Sequence, residues 1–128
     1  MIYEEMTGKI IGCAMKVHGA MGNGYQEVIY QRAMTIELNK AGLKFEREMK
    51  MEVYYDNEII GIRRVDFFVE NTIMVELKAV IDLNNYGLNQ CRNYLEVANL
   101  PVGLLINFGS KSLQFKRIYN SKHPESRL

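Results

Sequence analysis

The sequence predicts one α/β domain, a mixed central β-sheet flanked by helices in the order ααβββαββ. Three observations lead there. Apolar residues recur at helical spacing from the N-terminus to Lys40, change to strict alternation after Gly42, and return to helical spacing between Asn85 and Ala98. Val102 to Phe108 is a nearly continuous apolar run, the pattern of a strand buried on both faces. A length of 128 residues suits a single domain, and 48% hydrophobic with 24% charged residues is an ordinary globular composition.

Each element has its own grounds. Ile10, Cys13, Ala14, Val17 and Met21 share one helical face, and Gly22-Asn23-Gly24 breaks the run. A second helix is expected from Tyr25 to Lys40. Asn23 and Gln26 have the spacing of a capping box, and Gly42 suits the left-handed position past a helix end. Leu43, Phe45, Met49, Met51, Val53 and Tyr55 then fall on alternate positions, predicting a strand that ends at an Asp56-Asn57 turn. Further strands are expected over Ile59–Val69 and Ile73–Ile81. The helix over Asn85–Ala98 should stop at Leu100-Pro101, because proline disfavours helical geometry in the residue before it. Strands over Val102–Phe108 and Leu113–Tyr119 complete a domain spanning residues 1–120, and residues 121–128 read as a polar, fraying tail. Met34, Met49, Met51 and Met74 are expected to fill the core.

Composition excludes several classes of function. Sixteen Lys and Arg against fifteen Asp and Glu leave a net charge of +1, too little for a protein that coats nucleic acid through bulk charge. A local basic groove beside an acidic site would cancel in that sum. The start of the chain is acidic, with Glu4 and Glu5, and no apolar stretch has the length of a leader or of a membrane span. Cys13 and Cys91 form no Cys-x-x-Cys pair and read as buried free thiols, which points to a cytoplasmic protein. His18 and His123 lie far apart, so a zinc site is not expected, whereas a site of oxygen ligands is open.

The chemistry concentrates in the hairpin of the second and third strands. With Glu70-Asn71-Thr72 as a three-residue loop, Val69 faces Ile73, Phe67 faces Val75 and Val65 faces Leu77, so one face is wholly apolar. The same register sets Asp66 opposite Glu76 on the other face, with Lys78 beside Glu76 and Arg64 across from Lys78. Phe68, Met74 and Val80 are expected to cover that face in part. Opposed carboxylates repel, and a divalent cation between them removes the penalty; few protein ligands and hard oxygens suit Mg2+. Lys78 could then hold the attacking water or stabilise developing phosphate charge, as phosphodiester hydrolysis requires. A charged strand face is more commonly just a solvated one, and Asp-x9-Glu-x-Lys is a loose pattern.

The surrounding residues resemble a known family. Gly24-Tyr25-Gln26-Glu27-Val28-Ile29-Tyr30 is similar to the Gly-x-x-Glu-x-x-Tyr signature of the GxxExxY proteins, and Val17-His18-Gly19-Ala20-Met21-Gly22-Asn23-Gly24 looks like its lead-in. Asp66, Glu76-Leu77-Lys78-Ala79-Val80, Gln90-Cys91-Arg92-Asn93-Tyr94-Leu95 and Val102 to Gly109 follow in the family's order. That family is similar to the PD-(D/E)XK nuclease superfamily, so the resemblance implies a restriction-endonuclease-like core and a Mg2+-dependent nuclease, with Mn2+ as a substitute, acting on DNA or RNA through metal-activated water. It implies that Asp66, Glu76, Glu27 and the Leu77 carbonyl would hold the metal. Lys78 would orient or activate the water, and Gln90, with Tyr94 one turn along, would complete the site. This chain has Val65 where the superfamily often has proline, and Gly87 where relatives often carry histidine.

Plainer roles stand beside these. Glu27 in the first turn of a helix is favoured by the helix dipole alone. Tyr30 either orients Glu27 or packs, and His18 reads as a packing residue at a helix end. Arg63 and Arg64, with Lys44, Arg47, Lys50, Lys111, Lys116 and Arg117, are candidate phosphate contacts or simply solvated charges. The alternative function is a catalytically weak or inactive module on the same fold, binding nucleic acid or protein, with a homodimer as one form.

Overall fold

A computed structural model describes residues 3–127, with side chains at the C-terminal end as far as Glu125. Helices α1 (Glu4–Met21) and α2 (Glu27–Lys40) precede strands β1 (Phe45–Tyr55), β2 (Glu58–Val69) and β3 (Ile73–Lys78); α3 (Asn85–Ala98) leads to β4 (Val102–Asn107) and β5 (Gln114–Tyr119). The five strands form one sheet in the order β1-β2-β3-β4-β5. β3 and β4 are parallel and the other pairs antiparallel. A parallel pair needs a crossover, and α3 supplies it. The predicted architecture and element order are those observed.

Two cores flank the sheet. On one face Ile10, Ala14 and Val17 of α1 and Tyr30, Met34 and Leu38 of α2 pack with Phe67, Val69, Val75, Leu77, Leu104 and Ile106. On the other, Cys91 and Leu95 of α3 pack with Met51, Val65, Met74, Leu105 and Ile118. β4 is buried along its whole length, as its unbroken apolar run requires.

Local chemistry accounts for the ends of elements. Gly42 takes φ +73°, and the N–H of Leu43 donates to the Leu38 carbonyl at 3.1 Å while that of Gly42 donates to Asn39 at 3.0 Å, the Schellman closure of α2. Asp56 and Asn57 are both left-handed, the two-residue turn that matches strand twist. The N-cap of α2 is Gln26, without a side-chain cap, so the expected capping box at Asn23 does not form and the helix begins at Glu27, not Tyr25. Asn23 donates instead to the Gly109 carbonyl at 3.5 Å. α3 spans Asn85–Ala98 as expected, and a left-handed Asn99, φ +54°, caps it just before Leu100-Pro101. β3 ends at Lys78 rather than Ile81. Pro124–Arg127, expected to fray, forms a 3-10 turn, and the Tyr3 hydroxyl donates to Glu125.

The hairpin register is observed for Val69↔Ile73 and Phe67↔Val75. Pairing then ends, and the expected Val65/Leu77 pair does not form: Val65 lies in the α3-side core and Leu77 in the opposite one. Phe45 and Phe67 likewise belong to the α1/α2 side, whereas Met49, four residues further along β1, and Val65, two residues before Phe67 on β2, belong to the α3 side. Regular pleating would keep such residues on one face. The irregularity lies between them, at Glu48 (φ +52°) and Asp66, where the β1–β2 ribbon turns over toward α3. Beyond it the ribbon pairs only with itself and carries exposed Tyr54, Tyr55, Ile59, Ile60 and Ile62 near its tip.

Candidate functional site

The ribbon's reversal and the end of β2–β3 pairing open the sheet at one place, and the predicted carboxylates gather there. Asp66 does not sit in a regular cross-strand pair with Glu76. Its carboxylate bridges the parting strands: Oδ2 accepts from the Leu77 N–H at 2.8 Å, and Oδ1 accepts from Gln31 Nε2 at 2.8 Å. Gln31 is buried on α2, and its Oε1 accepts from Arg47 Nε at 2.7 Å. Asp66 is therefore held by a backbone donor and by a two-residue relay reaching into β1.

Glu76 alternates with Leu77, so its side chain faces α3, where it is 6% exposed. Oε2 accepts from Arg63 Nη2 at 2.9 Å, while Oε1 and Arg63 Nε are buried without partners. The Arg63 guanidinium lies 4.9 Å from the centre of the Tyr94 ring, a cation–π contact. Burial pushes the Glu76 carboxyl up to about 7; Arg63 and Lys78 oppose that shift and the charges of Asp66 and Glu27 add to it. Burial, and then Glu76, push the neighbouring Cys91 thiol up to about 12.

Glu27 opens α2 at the rim of this group. Loss of solvation raises its carboxyl pKa, Lys78 draws it down, Asp66 raises it further and Arg63 lowers it. The fold thus brings Glu27, Asp66, Glu76 and Lys78 within electrostatic reach of one another. Lys78 also lines a small cleft of about 140 Å³ with Asp82, Asn84, Tyr86 and Gly87 at the start of α3. The segment after Lys78 is tightly held. Asn107 Oδ1 accepts from Val80 N at 3.0 Å, and its Nδ2 donates to Val80 O at 2.9 Å. A Cβ on Gly109 would lie 2.4 Å from Val80 N and O, so only glycine fits this close approach.

The structure bears on several further expectations. Of the two roles open to it, Tyr30 takes packing. It is fully buried, its hydroxyl donates to the Gly22 carbonyl at 2.5 Å and accepts from Tyr25 N at 3.2 Å, and its ring stacks on Phe108 with centroids 4.6 Å apart. It latches the loop that sets where α2 begins. His18 Nε2 meets the Ser110 carbonyl at 3.0 Å, the packing role expected of it. Arg64 pairs in register with Lys50 of β1, not with Lys78, because β2 leaves β3 before reaching it; Arg63 faces the site instead. Val80 is 42% exposed and covers little; Arg63, Tyr94 and Cys91 supply that cover. Gln90 is half-buried on α3, and among the described residues the hydrogen bonds of Asp66 and Glu76 go to Leu77, Gln31 and Arg63.

Among the described residues no group of three or more His, Cys, Asp or Glu side chains is already gathered as a metal cage. The donor chemistry still fits a hard cation. The oxygens are carboxylates, as Mg2+ and Mn2+ prefer, and a buried carboxylate oxygen without a partner is costly until something positive satisfies it. Gln31 is the participant that sequence reasoning missed. Its trace was present: it lies one helical turn after Glu27 and interrupts the buried stripe of Tyr30, Met34 and Leu38 with a polar side chain.

A family model described as the PD-(D/E)XK nuclease superfamily matches residues 4–118. No curated protein matches the sequence. The chain is similar in fold to a solved structure described as "Crystal structure of SSO0001", with a TM-score of 0.57 and 16% identity. That similarity covers 91% of this chain and 59% of the other, so the chain spans about three fifths of that protein's length.

Proposed function

The chain belongs to the PD-(D/E)XK nuclease superfamily, and we propose that it hydrolyses phosphodiester bonds in DNA or RNA at the site formed by Asp66, Glu76 and Lys78, with Mg2+ or Mn2+ as cofactor. One observation carries the reading: a buried Glu76 with one oxygen unpartnered lies in a cluster with a second carboxylate, Asp66, and with Lys78 and Arg63. Burial of such a group is hard to account for by packing alone. The Gly24–Tyr30 segment assigns the chain, in this reading, to the GxxExxY proteins. The free, buried thiols suit the reducing cytoplasm proposed for it.

In this reading Asp66, Glu76 and Glu27 hold the cation, with the Leu77 carbonyl at the same strand end. Gln31 and the Leu77 N–H fix the Asp66 carboxylate so that its rotamer is settled before substrate arrives. A divalent cation held there supplies charge to the scissile phosphate and makes water more acidic. Lys78 orients the attacking water and balances the charge that builds on the phosphate. Arg63, carried on the ribbon and braced by Tyr94, faces the same charge, and Gln90 on α3 flanks the site.

The test is hydrolysis of single-stranded, duplex and branched substrates with Mg2+ or Mn2+. Asp66→Ala and Lys78→Ala should each lose on the order of a hundredfold or more in rate. Equal activity in wild type and both variants would sink the proposal. A second reading, a non-catalytic nucleic-acid- or protein-binding module that acts as a homodimer, draws on the fact that both Asp66 oxygens already have donors. It requires binding that survives chelation and is unchanged by Glu76→Gln.

A further inference from the structure

We propose that Arg63 is the exchangeable counter-ion of the carboxylate site, standing on Glu76 until a divalent cation takes that carboxylate and then passing to a phosphate oxygen of the nucleic acid. This rests on the metal-dependent reading above and adds a regulation of the same site. The Arg63–Glu76 contact is half made. Nη2 reaches Oε2 at 2.9 Å, yet Arg63 Nε and Glu76 Oε1 are each left buried and unpartnered. A structural buried pair gains from engaging both carboxylate oxygens with the guanidinium fork; this one leaves a donor and an acceptor spare.

The two partners also belong to parts of the sheet that are not tied together. Arg63 pairs with Met51 of β1, whereas β2–β3 pairing ends at Phe67, so the side-chain contact alone links Arg63 to β3 at this level. Tyr94 provides a second seat, since the guanidinium can leave Glu76 and remain over the ring. A planar, permanently charged fork is also the group best shaped for phosphate. Arg63 and Lys78 set two positive charges against the three carboxylates Glu27, Asp66 and Glu76, so a divalent ion has an electrostatic reason to enter and take the place of Arg63 on Glu76. Arg63 and the cation therefore compete, and metal loading frees the phosphate contact.

Mn2+ binding followed by electron paramagnetic resonance tests this without reference to activity. Arg63→Gln should bind Mn2+ about tenfold more tightly than wild type, as removal of an adjacent positive charge predicts, whereas Arg63→Lys should stay close to wild type. With Ca2+ present, Arg63→Gln should bind a single-stranded oligonucleotide about tenfold more weakly. Unchanged or weaker Mn2+ binding by Arg63→Gln overturns the exchange. If Arg63→Gln fails to fold, the wild-type Arg63 Nε–H resonance should shift saturably as Mg2+ is added and should not respond in Glu76→Gln; a resonance indifferent to Mg2+ overturns the proposal equally. Absence of Mn2+ binding in both wild type and Arg63→Gln would overturn the metal-dependent reading itself. Wild-type binding that Glu76→Gln abolishes and Arg63→Gln leaves unchanged would overturn only the role of Arg63.

Discussion

Glu76 occupies a strand position that packing alone would give to an apolar residue, and its carboxyl carries the consequence. Burial raises it from 4.5 to about 7, so the fold prefers the protonated form. A carboxyl whose folded value lies above its unfolded one contributes stability below the unfolded value, and that contribution is lost as pH rises through the folded value. The loss here spans the window from 4.5 to about 7 and amounts to roughly 3 kcal/mol. Glutamine imitates the protonated form. Urea unfolding should therefore find Glu76→Gln more stable than wild type by about 2–3 kcal/mol at pH 8 and nearly equal to it at pH 4. A wild type at least as stable as the variant at pH 8 would show that Glu76 is not held against its ionisation. Gln31 carries the complementary lesson. Its residue type was legible, but its role depends on Asp66 and Arg47, which are remote in sequence.

At the scale of elements, the site depends on two places where regular structure stops. The first is the turn of the β1–β2 ribbon at Glu48 and Asp66, which sends Val65 to one core and Phe67 to the other. Strict alternation extended the apolar pairing past this point, so the predicted register is right at Phe67 and wrong at Val65. Nothing in a period-two pattern marks where a twisted ribbon turns over. The second is the segment after β3, pinned by Asn107 and by the close approach of Gly109 to Val80. Gly109→Ala would place a Cβ 2.4 Å from backbone atoms. Thermal unfolding should show a loss of about 1–3 kcal/mol, as overpacking typically costs. An unchanged melting temperature would mean that this segment moves more freely than the contacts imply.

Across the whole molecule, the sheet separates two cores, each with one buried cysteine. Cys13 lies with α1 and α2, Cys91 with α3, and both are free thiols. Burial is the main cause that raises both thiols, leaving them protonated and shielded. A disulfide reagent should titrate neither in the native protein and both in denaturant. Rapid native reaction would place at least one thiol at the surface. Among the described residues no helix is long and apolar enough to cross a membrane.

The sequence by itself determined the order and type of the elements, because hydrophobic period is a local property that survives into any fold the chain adopts. Residue type and spacing also singled out Asp66, Glu76 and Lys78 as candidates, since they limit which chemistry a strand can carry, and the resemblance to the GxxExxY proteins added Glu27. Only the tertiary structure decided how these meet: Asp66 anchored on Leu77 and Gln31 rather than facing Glu76, Arg63 rather than Arg64 turned inward, and Tyr30 latching the loop before α2 through its hydroxyl. Each of those outcomes depends on where strand pairing ends and how far the ribbon twists. Both are set by the packing of two cores against one sheet, a balance among distant residues that no local pattern contains.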